Sequence, residues 1–153
     1  MEVIMENLIE YRSVDNSILE ELVALFIETF NAEPWNDEWT VATAEKRLSA
    51  LLNSKEFYGL TAYMNDELCG FILGWFEQYC NEKEFVIREF AVRNVARGQG
   101  IGSKLYNEFE ERISKKSIKK ITLLTLRGAL TEGFYNKNGF QESNSIIQME
   151  KNI

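Results

Sequence analysis

The chain has 153 residues, of which 45 % are hydrophobic and 27 % are charged, so its composition is that of a globular protein. We expect one domain over residues 1–153. The net charge of −7 and the lack of a basic face argue against nucleic acid as a partner. Because no apolar run approaches the ~20 residues of a membrane span, we expect a cytoplasmic protein with no membrane partner. The protein could also form a homodimer.

The first elements of the chain are a strand and two helices. Residues around 6–12 favour a strand, and Asp15 or Ser17 can cap a helix that ends near Phe30. Thr40 is the predicted cap of a second helix. The apolar faces of the two helices consist of Ile18, Leu22, Leu25, Phe26 and Ile27, and of Ala44, Leu48, Leu51 and Leu52.

A hairpin and a further strand follow. Residues 57–64 and 68–75 have strand composition and are separated by the turn residues Asn65, Asp66 and Glu67. Residues 84–92 are rich in β-branched and aromatic side chains, which predicts another strand.

A glycine-rich segment comes directly after this strand. Residues 97–105 contain glycines at 98, 100 and 102, and apolar residues then recur at helical spacing from Ile101 to Ile113. A strand, a glycine turn and a helix start together form a site for an anion, because the amides of the first helical turn have no intrahelical partner.

The glycine spacing separates the families of anion-binding loops. A Walker A loop is absent, and in a dinucleotide fingerprint counted from Gly98 the third glycine would fall on Ser103. Arg97, Gly100 and Gly102 instead fit Arg-x-x-Gly-x-Gly, which resembles the acyl-CoA pyrophosphate loop of the GNAT superfamily of N-acetyltransferases. The alternative is an ordinary glycine-rich turn.

A second block supports the same resemblance. Residues 121–126 favour a strand, and residues 133–140 contain Phe-Tyr-x-Lys-x-Gly-Phe, similar to the short helix and turn of GNAT enzymes. The resemblance implies that Tyr135 protonates the departing CoA thiolate, although a packing aromatic is the alternative. Residues 146–151 look like the closing strand of that family.

The resemblance implies a fold and a cofactor site. The implied fold class is α/β (α+β), with a GNAT-like mixed sheet that is mainly antiparallel and has helices on both faces. Two parallel strands, at about 84–94 and 119–126, would form the centre of the sheet and splay apart. The cosubstrate is acetyl-CoA, with no metal. Its pantetheine would pair with backbone groups of one strand, and its diphosphate would bind the glycine loop. The residues implied are Phe90, Ala91 and Val92, then Arg97, Gly98, Gln99, Gly100, Ile101, Gly102, Ser103 and Lys104.

The chain contains no histidine, so histidine-dependent nucleophiles and zinc sites are excluded, and carboxylates, tyrosine, lysine or water must do any acid–base chemistry. Glu89 is the candidate base, and a solvated or salt-bridged glutamate is the alternative. Strict alternation puts Glu84 on the opposite face from Glu89. Arg88 stands where the resemblance leads us to expect an acid.

The acceptor is the molecule that would receive the acetyl group, and the wall that contacts it is predicted in residues 31–39. This segment combines acids with aromatic rings, namely Glu33, Trp35, Asp37 and Trp39. Such a set suits the primary amine of a small cationic molecule, such as an aminoglycoside or a polyamine. A packed loop with solvated acids is the alternative. Other functions left open are acetylation of a protein or peptide N-terminus, a non-catalytic acyl-CoA-binding module, and a nucleotide-binding α/β protein.

Overall fold

The computed structural model describes residues 8–93 and 100–153. Its elements are β1 (Glu10–Ser13), a 3-10 helix (Asn16–Ile18), α1 (Leu19–Phe30), α2 (Val41–Leu52), β2 (Phe57–Met64), β3 (Glu67–Tyr79), β4 (Glu82–Val92), α3 (Ile101–Ser114), β5 (Ile118–Thr122) and α4 (Glu132–Lys137). Within these two ranges no helix has the length and apolar character needed to cross a membrane.

Asp15 caps the 3-10 helix that leads into α1, and the predicted cap of α2 is confirmed. The carboxylate of Asp15 accepts a hydrogen bond from the Ser17 amide at 2.8 Å, whereas α1 begins after Ile18 without a side-chain cap. Thr40 and Thr43 form a capping box, in which the Thr40 hydroxyl accepts from the Thr43 amide and the Thr43 hydroxyl accepts from the Thr40 amide. Each cap satisfies amides that the helix itself cannot satisfy.

The five strands form one sheet in the order β1-β2-β3-β4-β5. All neighbours are antiparallel except β4 and β5, which are parallel, so the mixed, mainly antiparallel sheet is confirmed. The β2–β3 hairpin turns on Asn65 and Asp66, whose φ angles of 51° and 60° are the left-handed values of a tight hairpin turn.

Helices cover both faces of the sheet, as predicted. On one face, α1 and α2 pack their apolar side chains against β3, with Leu22, Phe26, Leu48 and Phe71 among the fully buried residues. On the other face, α3 packs against β2, β3 and β4, and its core includes Leu105, Phe109, Leu60, Ile72 and Phe85.

The C-terminal part of the sheet differs from the prediction. β5 ends at Thr122, and the described residues contain no strand in 123–126 or in 141–153, so the closing strand at 146–151 does not form. β5 therefore lies at the edge of the sheet, and the parallel pair is not central. Apolar alternation supplies only strand propensity, whereas a strand also needs a hydrogen-bonded neighbour, which these segments do not have here.

Candidate active site

The pairing between the parallel strands β4 and β5 ends before β4 itself ends. Their pairing stops at Val86 and Thr122, whereas β4 continues to Val92. The edge of β4 along residues 87–92 is therefore not covered by β5. This edge contains three of the residues predicted to contact the cosubstrate, which are Phe90, Ala91 and Val92.

The start of α3 lies next to this edge. Gly100 is the residue before the helix, with a φ of 73° and no side-chain cap, and a β-carbon placed on it would meet no heavy atom of the described residues within 4 Å. The first-turn amides of α3 have no intrahelical partner, which suits them to bind the diphosphate of CoA. Lys104 is exposed in the same turn. The predicted contacts Arg97, Gly98 and Gln99 lie outside the described residues.

Gly102 allows α3 to approach α4 closely. A β-carbon at this position would lie 3.1 Å from Cε2 of Phe134 and 3.4 Å from Cγ2 of Val92. The side-chain amide of Asn138 donates to the carbonyl of Phe134 at 2.9 Å and to the hydroxyl of Ser103 at 3.4 Å. The end of β4, the start of α3 and the helix α4 are thereby packed together.

Tyr135 lies on α4 at this junction. Its ring centroid is 6.1 Å from that of Phe90 and 5.5 Å from that of Phe140. Burial, together with the nearby charge of Glu89, raises the pKa of its hydroxyl above the ordinary value. The hydroxyl therefore keeps its proton near neutral pH, as a proton donor must. No hydrogen-bond partner of this hydroxyl occurs in residues 8–93 and 100–153.

Glu89 is a buried carboxylate with one close partner. Its side chain is 7 % exposed, and its Oε1 accepts from Nε of Arg47 on α2 at 2.5 Å. Burial raises the pKa of Glu89, the guanidinium groups of Arg47 and Arg88 oppose that increase, and the carboxylate of Asp37 adds to it. The net shift is upward, so this carboxylate holds a proton more readily than a solvated glutamate.

A β-bulge places Arg88 and Glu89 on the same face of the sheet. Leu73 is opposite Glu89 while Gly74 is opposite Ile87, so Arg88 is the extra residue of β4. Beyond the bulge, Val86 is opposite Trp75, which packs on the α1 and α2 side. Glu84 consequently shares a face with Glu89, and the prediction from strict alternation was wrong because one unpaired residue reverses the alternation.

Arg47, Ala50, Leu51, Trp75, Arg88 and Glu89 line a cavity of about 180 Å³. Sequence reasoning did not select Arg47 or Trp75. The available signal for Arg47 was its spacing from Ala44 and Leu51, which sets a cation beside the apolar stripe of α2. No comparable signal marked Trp75.

The predicted acceptor loop packs its tryptophans on α1. The ring of Trp35 lies 5.1 Å from that of Phe30, and the ring of Trp39 lies 4.9 Å from that of Phe26. Glu33 is exposed, and Asp37 is exposed while accepting from the Trp39 indole at 3.1 Å. Trp39 connects the loop to the cavity, because the Arg47 guanidinium lies 5.5 Å from its ring centroid.

The sequence model of the acetyltransferase (GNAT) family matches residues 19–140, which include α1 to α4 and all of the geometry above. The chain belongs to the GNAT family. No curated protein sequence matches it.

Solved structures with the same GNAT fold align over almost the whole chain. A possible acetyltransferase from Clostridium difficile 630 has a TM-score of 0.78 at 18 % identity, covering 95 % of this chain and 99 % of that one. The aminoglycoside N-acetyltransferase AAC(6')-Iy in complex with CoA has a TM-score of 0.75 at 14 % identity, covering 99 % and 100 %. An aminoglycoside acetyltransferase from an uncultured soil metagenomic sample has a TM-score of 0.70 at 20 % identity, covering 95 % and 99 %. These identities establish the fold and leave the acceptor undetermined.

Proposed function

We propose that this GNAT protein transfers an acetyl group from acetyl-CoA to the primary amine of a small acceptor, by direct attack in a ternary complex. The observation that carries the proposal is the convergence of three features: the uncovered edge of β4, the start of α3 beside it, and Tyr135 packed against Phe90 at the same junction. Membership of the GNAT family supports the same reaction.

The cosubstrate would be held by backbone groups and a few cations. Pantetheine amides would pair with the backbone of Phe90, Ala91 and Val92 as a surrogate strand. The diphosphate would bind the amides of residues 101–103, with Lys104 adding charge. Arg97 is proposed as a second cation on the sequence pattern alone. Because the chain has a net charge of −7, such local donors must overcome a general repulsion of the polyanionic CoA.

The proposed chemistry uses three groups of this chain. Glu89 accepts a proton from the amine, directly or through water, and the neutral nitrogen attacks the thioester carbonyl carbon. A backbone N–H near Val92 stabilises the oxyanion, an effect worth about 3 kcal/mol per preorganised donor. Tyr135 gives its proton to the thiolate as the carbon–sulfur bond breaks, and the second proton of the attacking nitrogen passes through water to the tyrosinate.

The amine is expected to arrive as its ammonium form. The exposed carboxylates of Glu33 and Asp37 support this, and they belong to the loop whose Trp39 ring lies beside Arg47. An aminoglycoside or a polyamine is the acceptor class that the loop composition favours. A non-catalytic acyl-CoA-binding protein is the second candidate, since the pairing of Glu89 with Arg47 occupies the candidate base.

Ligand-dependent stability and thiol release together test the proposal. Acetyl-CoA should raise the stability of the protein by about 2.7 kcal/mol at a hundredfold excess over its dissociation constant, whereas ATP and NAD should not. CoA thiol should then appear when amines are added. Binding without thiol release for any amine would favour the non-catalytic protein, and stabilisation by ATP or NAD alone would reject the acyl-CoA assignment.

A further inference from the structure

The bulge in β4 puts Arg88 and Glu89 on the same side of the sheet, so the cavity beside Glu89 is lined by a second cation as well as by Arg47. Arg88 is the extra residue of the bulge, and its guanidinium carbon lies 5.1 Å from the ring centroid of Trp75. Both side chains line the cavity together with Glu89. Alternation from Val86 and Ile87 already puts Arg88 on the α1 and α2 side of the sheet, and the bulge adds Glu89 to that side.

The charges that line the cavity do not cancel. Arg47 donates to Glu89 at 2.5 Å, so one cation and one anion are already paired. In the part of the chain that the structure describes, Arg88 forms no ion pair with any carboxylate. The lining side chains therefore carry one more positive than negative charge, while Asp37, which does not line the cavity, has a carboxylate near enough to raise the pKa of Glu89.

We propose that Arg88 binds a carboxylate of the acceptor, so that the acceptor is a small amine that also carries a carboxylate group, as amino acids do. This inference rests on the proposed function, and it replaces the aminoglycoside or polyamine favoured by the loop composition with an amine that also carries a carboxylate. A guanidinium that stacks on an indole keeps its N–H edge available, and that planar edge matches a carboxylate with two parallel hydrogen bonds. The amino group would then point along β4 toward Glu89 and Tyr135.

The charge of the cavity lining favours this acceptor over the larger cationic classes. A single surplus positive charge is matched by one carboxylate, whereas a polyamine would add further positive charge beside Arg47 and Arg88. Arg88 is not needed to neutralise the carboxylate of Glu89, because Arg47 already forms a hydrogen bond with that carboxylate.

The test compares acceptors with and without a carboxylate in wild type and in two arginine variants. The acceptors are α-amino acids and ω-amino acids of increasing length, the carboxamide of each, and spermidine and sisomicin as amines without a carboxylate. The variants are wild type, Arg88→Met and Arg12→Met. Arg12 is the control because its guanidinium also lies over an aromatic ring, 4.0 Å from the Tyr63 centroid, but on β1 at the other end of the sheet.

Two readouts are measured, namely steady-state acetylation and calorimetric binding of each acceptor to the CoA-saturated protein. At least one amino acid should exceed its carboxamide in kcat/KM and in affinity by roughly 10- to 150-fold, the range expected for hydrogen bonds to a charged group. Arg88→Met should remove that preference mainly through KM, and Arg12→Met should keep it.

The outcomes separate this inference from the proposed function. Acetylation of carboxamides, spermidine or sisomicin as efficient as that of the amino acids, or an acid preference that persists in Arg88→Met, would overturn the carboxylate site and leave acetyl transfer standing. Amino acid binding that depends on Arg88 without any acetylation would support the site and reject the enzymatic function. Absence of binding for every amino acid would overturn the site.

Discussion

Nε of Arg47 lies 2.5 Å from Oε1 of Glu89, and this contact joins α2 to β4 on the wall of the cavity that Trp75 and Arg88 also line. The contact makes the protonation of Glu89 depend on a side chain that is 42 positions away in the sequence. Burial raises the pKa of Glu89, and the guanidinium of Arg47 makes the largest of the contributions that lower it.

Replacing Arg47 should shift the pH dependence of both activity and stability. In Arg47→Met the pKa of Glu89 rises further, so the acid limb of kcat/KM moves to higher pH if Glu89 is the base. A raised pKa also means that the folded state binds the proton more tightly than the unfolded chain. The unfolding free energy should therefore fall as pH rises from the ordinary value of 4.5 through the raised pKa, over a wider window in the variant.

Kinetic profiles and urea unfolding at a series of pH values measure these two shifts. Arg47→Lys keeps the positive charge and serves as the control, with an acid limb close to that of wild type. If the pH profiles of kcat/KM for Arg47→Met and wild type superimpose, the protonation of Glu89 does not control the acid limb.

Tyr135→Phe tests the proposed acid without removing its ring. The contacts of the ring with Phe90 and Phe140 should survive, so CoA affinity should be unchanged. The value of kcat should fall by roughly 10- to 1,000-fold where thiolate expulsion limits the rate. Tyr106→Phe is the control, because Tyr106 also packs on Phe140, at 5.3 Å, but belongs to the α3 core. Equal kcat values for both variants and wild type would remove Tyr135 from the mechanism.

Two substitutions at Gly100 test the diphosphate site through charge alone. The φ of 73° at Gly100 is a conformation that Asn and Asp tolerate better than other side chains, and a β-carbon there has open space. Gly100→Asp should bind acetyl-CoA at least about tenfold more weakly than Gly100→Asn, because only Asp places a negative charge beside the diphosphate. Calorimetry measures both affinities. The same affinity in the two variants would mean that the diphosphate binds elsewhere.

Gly74 should be indispensable to the bulge that positions Arg88 and Glu89. A β-carbon on Gly74 would lie 2.0 Å from the carbonyl oxygen of Val86, so Gly74→Ala should destabilise the protein by at least about 1–3 kcal/mol. Gly133→Ala is the control, because the nearest atom to its added carbon is 3.8 Å away and α4 favours alanine over glycine. Urea unfolding measures both, and an unaltered transition in Gly74→Ala would show that the bulge adapts.

Local signals in the sequence determined most of the elements. Asp15 and Thr40 marked the helix starts because their side chains bond amides only two or three residues ahead. Asn65 and Asp66 marked the hairpin turn because their backbones tolerate positive φ. The glycine segment and the block around Tyr135 indicated the family that the sequence model then established.

Only the tertiary structure decided how the cavity is built. The bulge at Arg88 lies beside Gly74, whose backbone approaches β4 closely, and alternation along one strand cannot reveal such a contact. The pairing of Arg47 with Glu89 joins residues far apart in sequence, and a hydrophobic pattern does not specify which cation meets which carboxylate. The edge position of β5 likewise depends on whether another segment pairs with it. Sequence therefore indicated the family and the elements β4, α3 and α4 on which its proposed site lies, while long-range packing set the charges that line the cavity.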